Sequence, residues 1–202
     1  MIPAMPLPPL DPETLLSAYA QGVFPMGDRD GQVRWYTADP RGVLPLDGAF
    51  HVPKTLAQLV RNSKGFAVRV NHDFEAVMRA CGDDRRAEGT WINEPLVAAY
   101  TKLHALGFAH SVEVWWDGEL AGGLYGVSLG GAFFGESMFH RRTDASKIAL
   151  VSLVCRLRDR GFALLDAQAS TAHLRRFGCR EMPAAEYLKL LDAALQLRCE
   201  FA

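Results

Sequence analysis

Three polar residues stand where the surrounding sequence calls for apolar ones. Glu136 lies between Gly135 and Ser137 in FFGESMF, and Asp166 and Gln168 lie two apart in FALLDAQA. On a strand, residues two apart point to one face, so Asp166 and Gln168 are expected to share a face, with Ala167 and Ala169 on the other. A carboxylate or an amide on the inward face of an apolar strand costs free energy unless a partner satisfies it. One such residue is most simply part of a buried network tying a strand end to a helix N-terminus. Three of them on two strand segments, in a glycine-rich run, fit a chemical site better. Spacing by itself does not name the reaction.

Most aromatic residues fit a core. Trp91 is different: it sits in EGTWINEP, between charges and a helix start, where an aromatic suits a pocket wall. Basic pairs occur at Arg85-Arg86, Arg141-Arg142 and Arg175-Arg176. A solvated face accounts for such pairs in general, but Arg141-Arg142 directly follows the Glu136 segment, where local phosphate contact is chemically sensible. The six histidines and four cysteines (Cys81, Cys155, Cys179, Cys199) are scattered without paired spacing. That pattern argues against a metal site and a disulfide framework, and for a reducing compartment.

These side chains need a scaffold, and 202 residues with 49% hydrophobic and 22% charged content suffice for one sizeable core, or for one domain plus a small lobe. The net charge of −1 gives no global positive field, so a nucleic-acid partner must be held by local patches. The N-terminus, with five prolines before residue 13, has neither a positive n-region nor a continuous apolar core, and no stretch approaches the length of a membrane span. A cytoplasmic protein is expected.

Asp11-Pro12 reads as an N-cap with proline in the first turn of a helix ending near Gln21-Gly22. Irregular chain and short strands follow from Phe24 to Phe50, then a helix over 55–61, a strand in FAVRVNHD and a helix over 73–81. NEPLVAAYTKLHALG has helical spacing with Gly107 as its stop, and HSVEVWW, LAGGLYGVSL and GAFFGESMF read as strands joined by Asp117-Gly118 and Gly130-Gly131 turns. DASKIALVSLVCRLRDRG predicts an amphipathic helix capped by Asp144 or Ser146; the FALLDAQA strand, about two helical turns in TAHLRRFG, and a final helix complete the chain. This order predicts an α+β fold with helices covering a mixed sheet.

Taken together, AYAQGVFP, WYTADPRGVL, EGTWI, AYTKLHALGFAHSVEVW, LAGGLYGV, FFGESMF, ASKIAL and LLDAQ resemble, in order from about Leu15 to about Leu191, the leucyl/phenylalanyl-tRNA–protein transferase family. The resemblance implies a GNAT-type acyltransferase fold over 63–202 with a small N-terminal lobe over 1–62. It implies transfer of leucine or phenylalanine, and by pocket tolerance methionine, from aminoacyl-tRNA to proteins with N-terminal Arg or Lys, creating a degradation signal. Carried over by motif, it makes Glu136, Asp166 and Gln168 the site residues, Trp91 an aromatic wall and Tyr19 a substrate contact. Leu124, Phe133, Met138 and Leu150 become apolar pocket positions, and Met26 stands where the family has tryptophan. The three basic pairs become tRNA contacts.

An aminoacyl ester is already activated, so this chemistry implies no cofactor; the task is to hold an amine against an ester carbonyl and remove its proton. Asp166 would be the proton sink or an orienting charge for Gln168, and Glu136 would fix either the donor's ammonium or the acceptor's basic side chain. Two alternatives compete. A GNAT-type enzyme using acyl-coenzyme A needs a glycine-rich pyrophosphate loop, which RRTDASK lacks. A tRNA- or peptide-binding module without catalysis would not need Glu136, Asp166 and Gln168.

Overall fold

Among the described residues, seven strands form one sheet in the order β4-β5-β6-β7-β8-β3-β9, and two more pair as a separate antiparallel ribbon. The structure is a computed structural model that describes residues 9–28, 30–62, 65–83 and 90–202. In chain order the elements are α1 (Pro12–Ala20), β1 (Phe24–Gly27), β2 (Val33–Tyr36), β3 (Arg41–Leu44), α2 (Lys54–Asn62), β4 (Phe66–Val70), α3 (Phe74–Gly82), α4 (Glu94–Ala105), β5 (Ala109–Trp116) and β6 (Glu119–Leu129). They continue as β7 (Ala132–His140), α5 (Ala145–Asp159), β8 (Leu164–Gln168), α6 (Ala172–Arg175), β9 (Arg180–Met182) and α7 (Ala184–Leu195). The fold is α+β, a mixed sheet flanked by helices.

The local reasons are those of the sequence. Asp11 accepts the Thr14 N–H at 2.9 Å with Pro12 behind it, and Asn93 caps α4 through the Leu96 N–H with Pro95 in the first turn. The start of α5 departs from expectation. Asp144 adopts a left-handed φ of 68° and makes no cap hydrogen bond. An N-cap needs an extended backbone, and the Asp144 carboxylate instead meets Lys147 Nζ at 2.6 Å. TAHLRRFG supplies a helix of four residues rather than two full turns.

Successive residues alternate between two cores, as the two-residue repeat of a strand requires. Phe134 and Leu164 join a cluster built from α1, β1, β2, α3, α4 and α7. Their neighbours Phe133 and Leu165 join a second cluster built on α2 and α5. Every strand pair in the large sheet is antiparallel except β7 with β8, which α5 connects as a crossover. β3, from the segment assigned by sequence to the N-terminal lobe, lies between β8 and β9. A boundary at residue 62 therefore does not coincide with an edge of the sheet.

Candidate active site

The parallel pair is short. Ala132, Phe133 and Phe134 pair with Leu164, Leu165 and Asp166, and beyond them β7 and β8 part. A cavity of about 580 Å³ occupies the opening and reaches residues of both cores. Both strands are irregular where they line it. In β7, Tyr125 of β6 faces Ser137 and Gly126 faces Gly135, so Glu136 is the extra residue of a β-bulge. A bulge re-aims a side chain that a regular strand would send to one fixed face, and this is how a carboxylate enters an apolar run. Gly126 is required opposite it, because a Cβ there would lie 2.2 Å from the Phe134 carbonyl oxygen.

In β8, Gly42 faces Gln168 and Val43 faces Asp166, leaving Ala167 as the extra residue. Gln168 then takes a left-handed φ of 54°. The expected regular alternation of Asp166 and Gln168 is thus replaced by a bulge, yet both residues line the same cavity. Gly42 permits the bend: a Cβ there would come within 2.7 Å of the Ala169 backbone.

Asp166 is fully buried and fully engaged. Arg41, 1% exposed, donates from Nε to Oδ1 at 2.9 Å and from Nη2 to Oδ2 at 2.6 Å. The Tyr187 hydroxyl donates to Oδ2 at 2.8 Å, and the Gln168 backbone N–H to Oδ1 at 2.8 Å. The remaining arm of Arg41 donates to the Gly22 carbonyl at 2.9 Å, and its guanidinium lies 4.5 Å over the Tyr187 ring. Burial opposes the Arg41 charge, but the bonds and attraction from Asp166 more than offset it and raise its pKa further. Every oxygen of this pair is held, which is the condition for a buried ion pair to persist.

Glu136 has a different environment. The Tyr19 hydroxyl donates to Oε1 at 2.8 Å, the Tyr100 hydroxyl reaches Oε2 at 3.4 Å, and the two hydroxyls bond each other. No cation bonds it among the described residues. Desolvation pushes its pKa up to about 8; the Tyr19 hydrogen bond opposes this and the Asp166 charge adds to it. Burial also raises Tyr19, Tyr100 and Tyr125 well above the usual phenol value, so all three stay neutral.

Gln168 stands beside Glu136 in either amide orientation. With one, Nε2 lies 3.4 Å from Glu136 Oε1. With the other, the nitrogen donates to the Gly135 carbonyl at 2.8 Å and the Ala167 carbonyl at 3.1 Å, and the amide oxygen turns toward Glu136. The second satisfies more groups and suits a protonated Glu136.

Of the other expected residues, Met26, Trp91, Leu124, Met138 and Leu150 line the cavity. Tyr19 does not line it but touches it through Glu136. Phe133 is a correction: it belongs to the closed part of the parallel pair, is fully buried and stacks on Phe201 at 5.1 Å instead of facing the cavity. Arg141 and Arg142 are exposed on the β7–α5 connection, and Arg175 and Arg176 are exposed at the end of α6. Arg85 and Arg86 lie outside the described residues.

Sequence reasoning missed Arg41, Tyr100 and Tyr187. The available signal for Arg41 was Asp166 itself, since a buried carboxylate requires a cation. It also missed the polar rim formed by His140, Ser146, Thr171 and His173, where burial lowers the His173 pKa and leaves its Nε2 without a protein partner.

Among the described residues, no group of three or more His, Cys, Asp or Glu side chains could hold a metal ion, and no helix is long and apolar enough to cross a membrane. Comparison with known proteins gives a consistent result. The family described as leucyl/phenylalanyl-tRNA protein transferase matches residues 43–192, and its N-terminal domain matches residues 9–39. A leucyl/phenylalanyl-tRNA–protein transferase of Rubrobacter xylanophilus is 54% identical over 96% of this chain and 99% of its own length. One from Paramagnetospirillum magneticum is 56% identical over 93% of this chain and 90% of its own. Among solved structures, L-PGS from Bacillus licheniformis aligns with a TM-score of 0.49 at 10% identity, covering 93% of this chain and 71% of that one.

Proposed function

The chain belongs to the leucyl/phenylalanyl-tRNA protein transferase family and is an aminoacyltransferase, and on that premise we propose that ester and amine meet in the cavity between β7 and β8. The observation that carries this reading is Glu136, an unpaired acid on a bulge at the opening of the sheet, beside an apolar chamber.

Leucine and phenylalanine offer only apolar surface, and Leu124, Met138, Leu150, Leu153 and Leu165 supply the matching wall. One methylene changes affinity by only about 1–3 kcal/mol, and Met26 gives that wall a flexible member. Methionine is therefore accepted alongside the other two donors. The polar rim of His140, Ser146, Thr171 and His173 suits the terminal ribose and its phosphate. The GNAT-type reading of residues 63–202 is supported by the same feature, a mixed sheet whose one parallel pair opens around the substrate.

In the transfer, the acceptor's α-amino nitrogen attacks the ester carbonyl. A C–N bond forms, the bond to the ribose oxygen breaks, and one proton passes from nitrogen to that oxygen. An α-amino group has a pKa of about 7.7–8.0, and an acid held at about 8 is matched to it. Glu136 is accordingly the group that takes the proton and returns it to the leaving oxygen. Asp166, engaged by Arg41, Tyr187 and Gln168, has no lone pair free to serve as a proton sink. Its part is the orienting one: it fixes the backbone of Gln168, whose amide aligns the amine with Glu136. Acceptors beginning with Arg or Lys, and their marking for degradation in the cytoplasm, complete the proposal.

The test is radiolabelled transfer from Leu-, Phe- and Met-tRNA to peptides differing only in their first residue. Transfer from all three donors to Arg- and Lys-initiated peptides is expected, with a large loss in Gln168→Ala. Wild-type rates in that variant would remove the site assignment.

A further inference from the structure

Resting on the reading of the cavity as the donor site, we propose that a separate groove beside it binds an unpaired nucleotide of the tRNA 3′ strand, the base stacking on the Arg142 guanidinium. The groove, of about 500 Å³, is lined by Leu59, Phe66, Trp116, Arg141, Arg142 and Thr143. Its lining among the described residues holds two cations and no acid.

Trp116 links two of the other side chains, meeting Phe66 by an edge and Arg142 by its face. Phe66 meets Trp116 edge-on at 4.7 Å between ring centroids, and the Arg142 guanidinium lies 4.6 Å over the Trp116 ring. The loop beneath is fixed: the N–H groups of Arg141 and Arg142 both donate to the Ala121 carbonyl, at 2.7 and 3.1 Å, and the Arg142 carbonyl accepts from Ala145 N–H at 3.2 Å. Arg142 itself is exposed. A planar, permanently charged shelf is thus held in position before any ligand arrives. Single-stranded RNA is bound by this combination, with bases stacking on aromatic or guanidinium planes and phosphates meeting nearby cations.

Continuity with the cavity identifies the occupant. His140 and Ser146 line the cavity, and the intervening Arg141, Arg142 and Thr143 line the groove. A cavity of about 580 Å³ has the volume of a single small-molecule site, so it accepts an aminoacyl-adenosine but not the nucleotides that precede it. A strand leaving the cavity past His140 would meet Arg141, Arg142 and Thr143 next, because they follow it in the chain.

The experiment compares Arg142→Ala and Trp116→Leu with wild type in two measurements. The first is the Kd of a labelled single-stranded RNA tetranucleotide carrying no amino acid, which reads the groove without using the reaction. An increase of about tenfold is expected in both variants, from a stacking contribution near 1.4 kcal/mol. The second is transfer from Phe-tRNA against transfer from 3′-O-phenylalanyl-adenosine. The KM for Phe-tRNA should rise about tenfold while kinetics with the minimal donor stay within twofold, a pattern that general unfolding of the Trp116 variant would not give. Unchanged RNA affinity, or equal loss with both donors, overturns the groove. Intact RNA binding without transfer from the minimal donor instead overturns the reading of the cavity.

Discussion

Asp166 and Glu136 are carboxylates on adjacent strands, lining one cavity, and they are solvated in opposite ways. Asp166 is sealed with Arg41 and Tyr187, a full charge against a full charge with each oxygen engaged. Glu136 is half-buried, meets the neutral hydroxyls of Tyr19 and Tyr100, and carries a pKa pushed up to about 8 by desolvation first of all. The contrast assigns the work. A carboxylate locked to a guanidinium, with every oxygen engaged, holds geometry. One supported only by neutral donors titrates where an amine does. Environment, not residue type, separates the two roles.

The strongest way to break this comparison is Glu136→Gln, which keeps the shape and removes the titration. Loss of general acid–base catalysis costs about 10²–10⁴ in rate, and kcat should fall within that range in a variant that still folds. The pH dependence sharpens the assignment. If Glu136 must be ionised and the amine neutral, log kcat/KM below pH 7 should rise with slope two in the wild type and slope one in the variant. The sign for stability follows from linkage. The folded pKa lies above the unfolded one, so the folded state binds more protons between about 4.5 and about 8. Wild-type stability should therefore fall, relative to Glu136→Gln, as pH rises through that window. Parallel slopes in the rate profiles would show that Glu136 does not carry the proton.

The second way is to expose the charge that Arg41 neutralises. Arg41→Met leaves Asp166 buried without its cation, and breaking one side of a buried ion pair costs about 3–5 kcal/mol. Urea denaturation at pH 7 should report a loss of that size. The double variant Arg41→Met/Asp166→Leu should recover most of it, because no uncompensated charge remains. Transfer should stay low in the double variant even where it folds well, since Gln168 has lost the carboxylate that fixes its backbone. A refolded double variant with wild-type transfer would mean that the pair serves stability alone.

How far the sequence reveals this division depends on the element. Caps and turns are local, and Asp11-Pro12 and the Gly130-Gly131 turn appear where the chain chemistry dictates. The site is less local. Polar residues in apolar runs flag Glu136 and Asp166, yet Glu113 in HSVEVWW is a fully buried acid whose hydrogen bonds are all structural. It accepts the His72 and Asp73 N–H groups, the Ser111 hydroxyl and the Trp115 indole N–H. Nothing in the linear pattern separates that satisfied acid from Glu136. The bulges are equally hidden, because an extra residue is defined only against a partner strand. Arg41 is 125 positions from Asp166, and only the insertion of β3 beside β8 brings them together.

The smallest test concerns the edge of the Glu136 network. Tyr125 is fully buried, its ring meets Tyr100 at 5.8 Å between centroids, and its hydroxyl has no protein partner. An unsatisfied buried hydroxyl costs about 1–3 kcal/mol, whereas removing it leaves an apolar ring of the same shape. Tyr125→Phe should accordingly raise the unfolding free energy of the unliganded protein by about 1 kcal/mol, read as a higher urea midpoint at constant m-value. The same substitution at Tyr19, whose hydroxyl bonds both Glu136 and Tyr100, should lower it by a similar amount. Opposite signs from two tyrosines in one cluster would place the boundary of the satisfied network between them. A loss at Tyr125 would instead mean that its hydroxyl is engaged in the folded protein, and that the hydrogen bonding around Glu136 extends one ring further than Tyr19 and Tyr100.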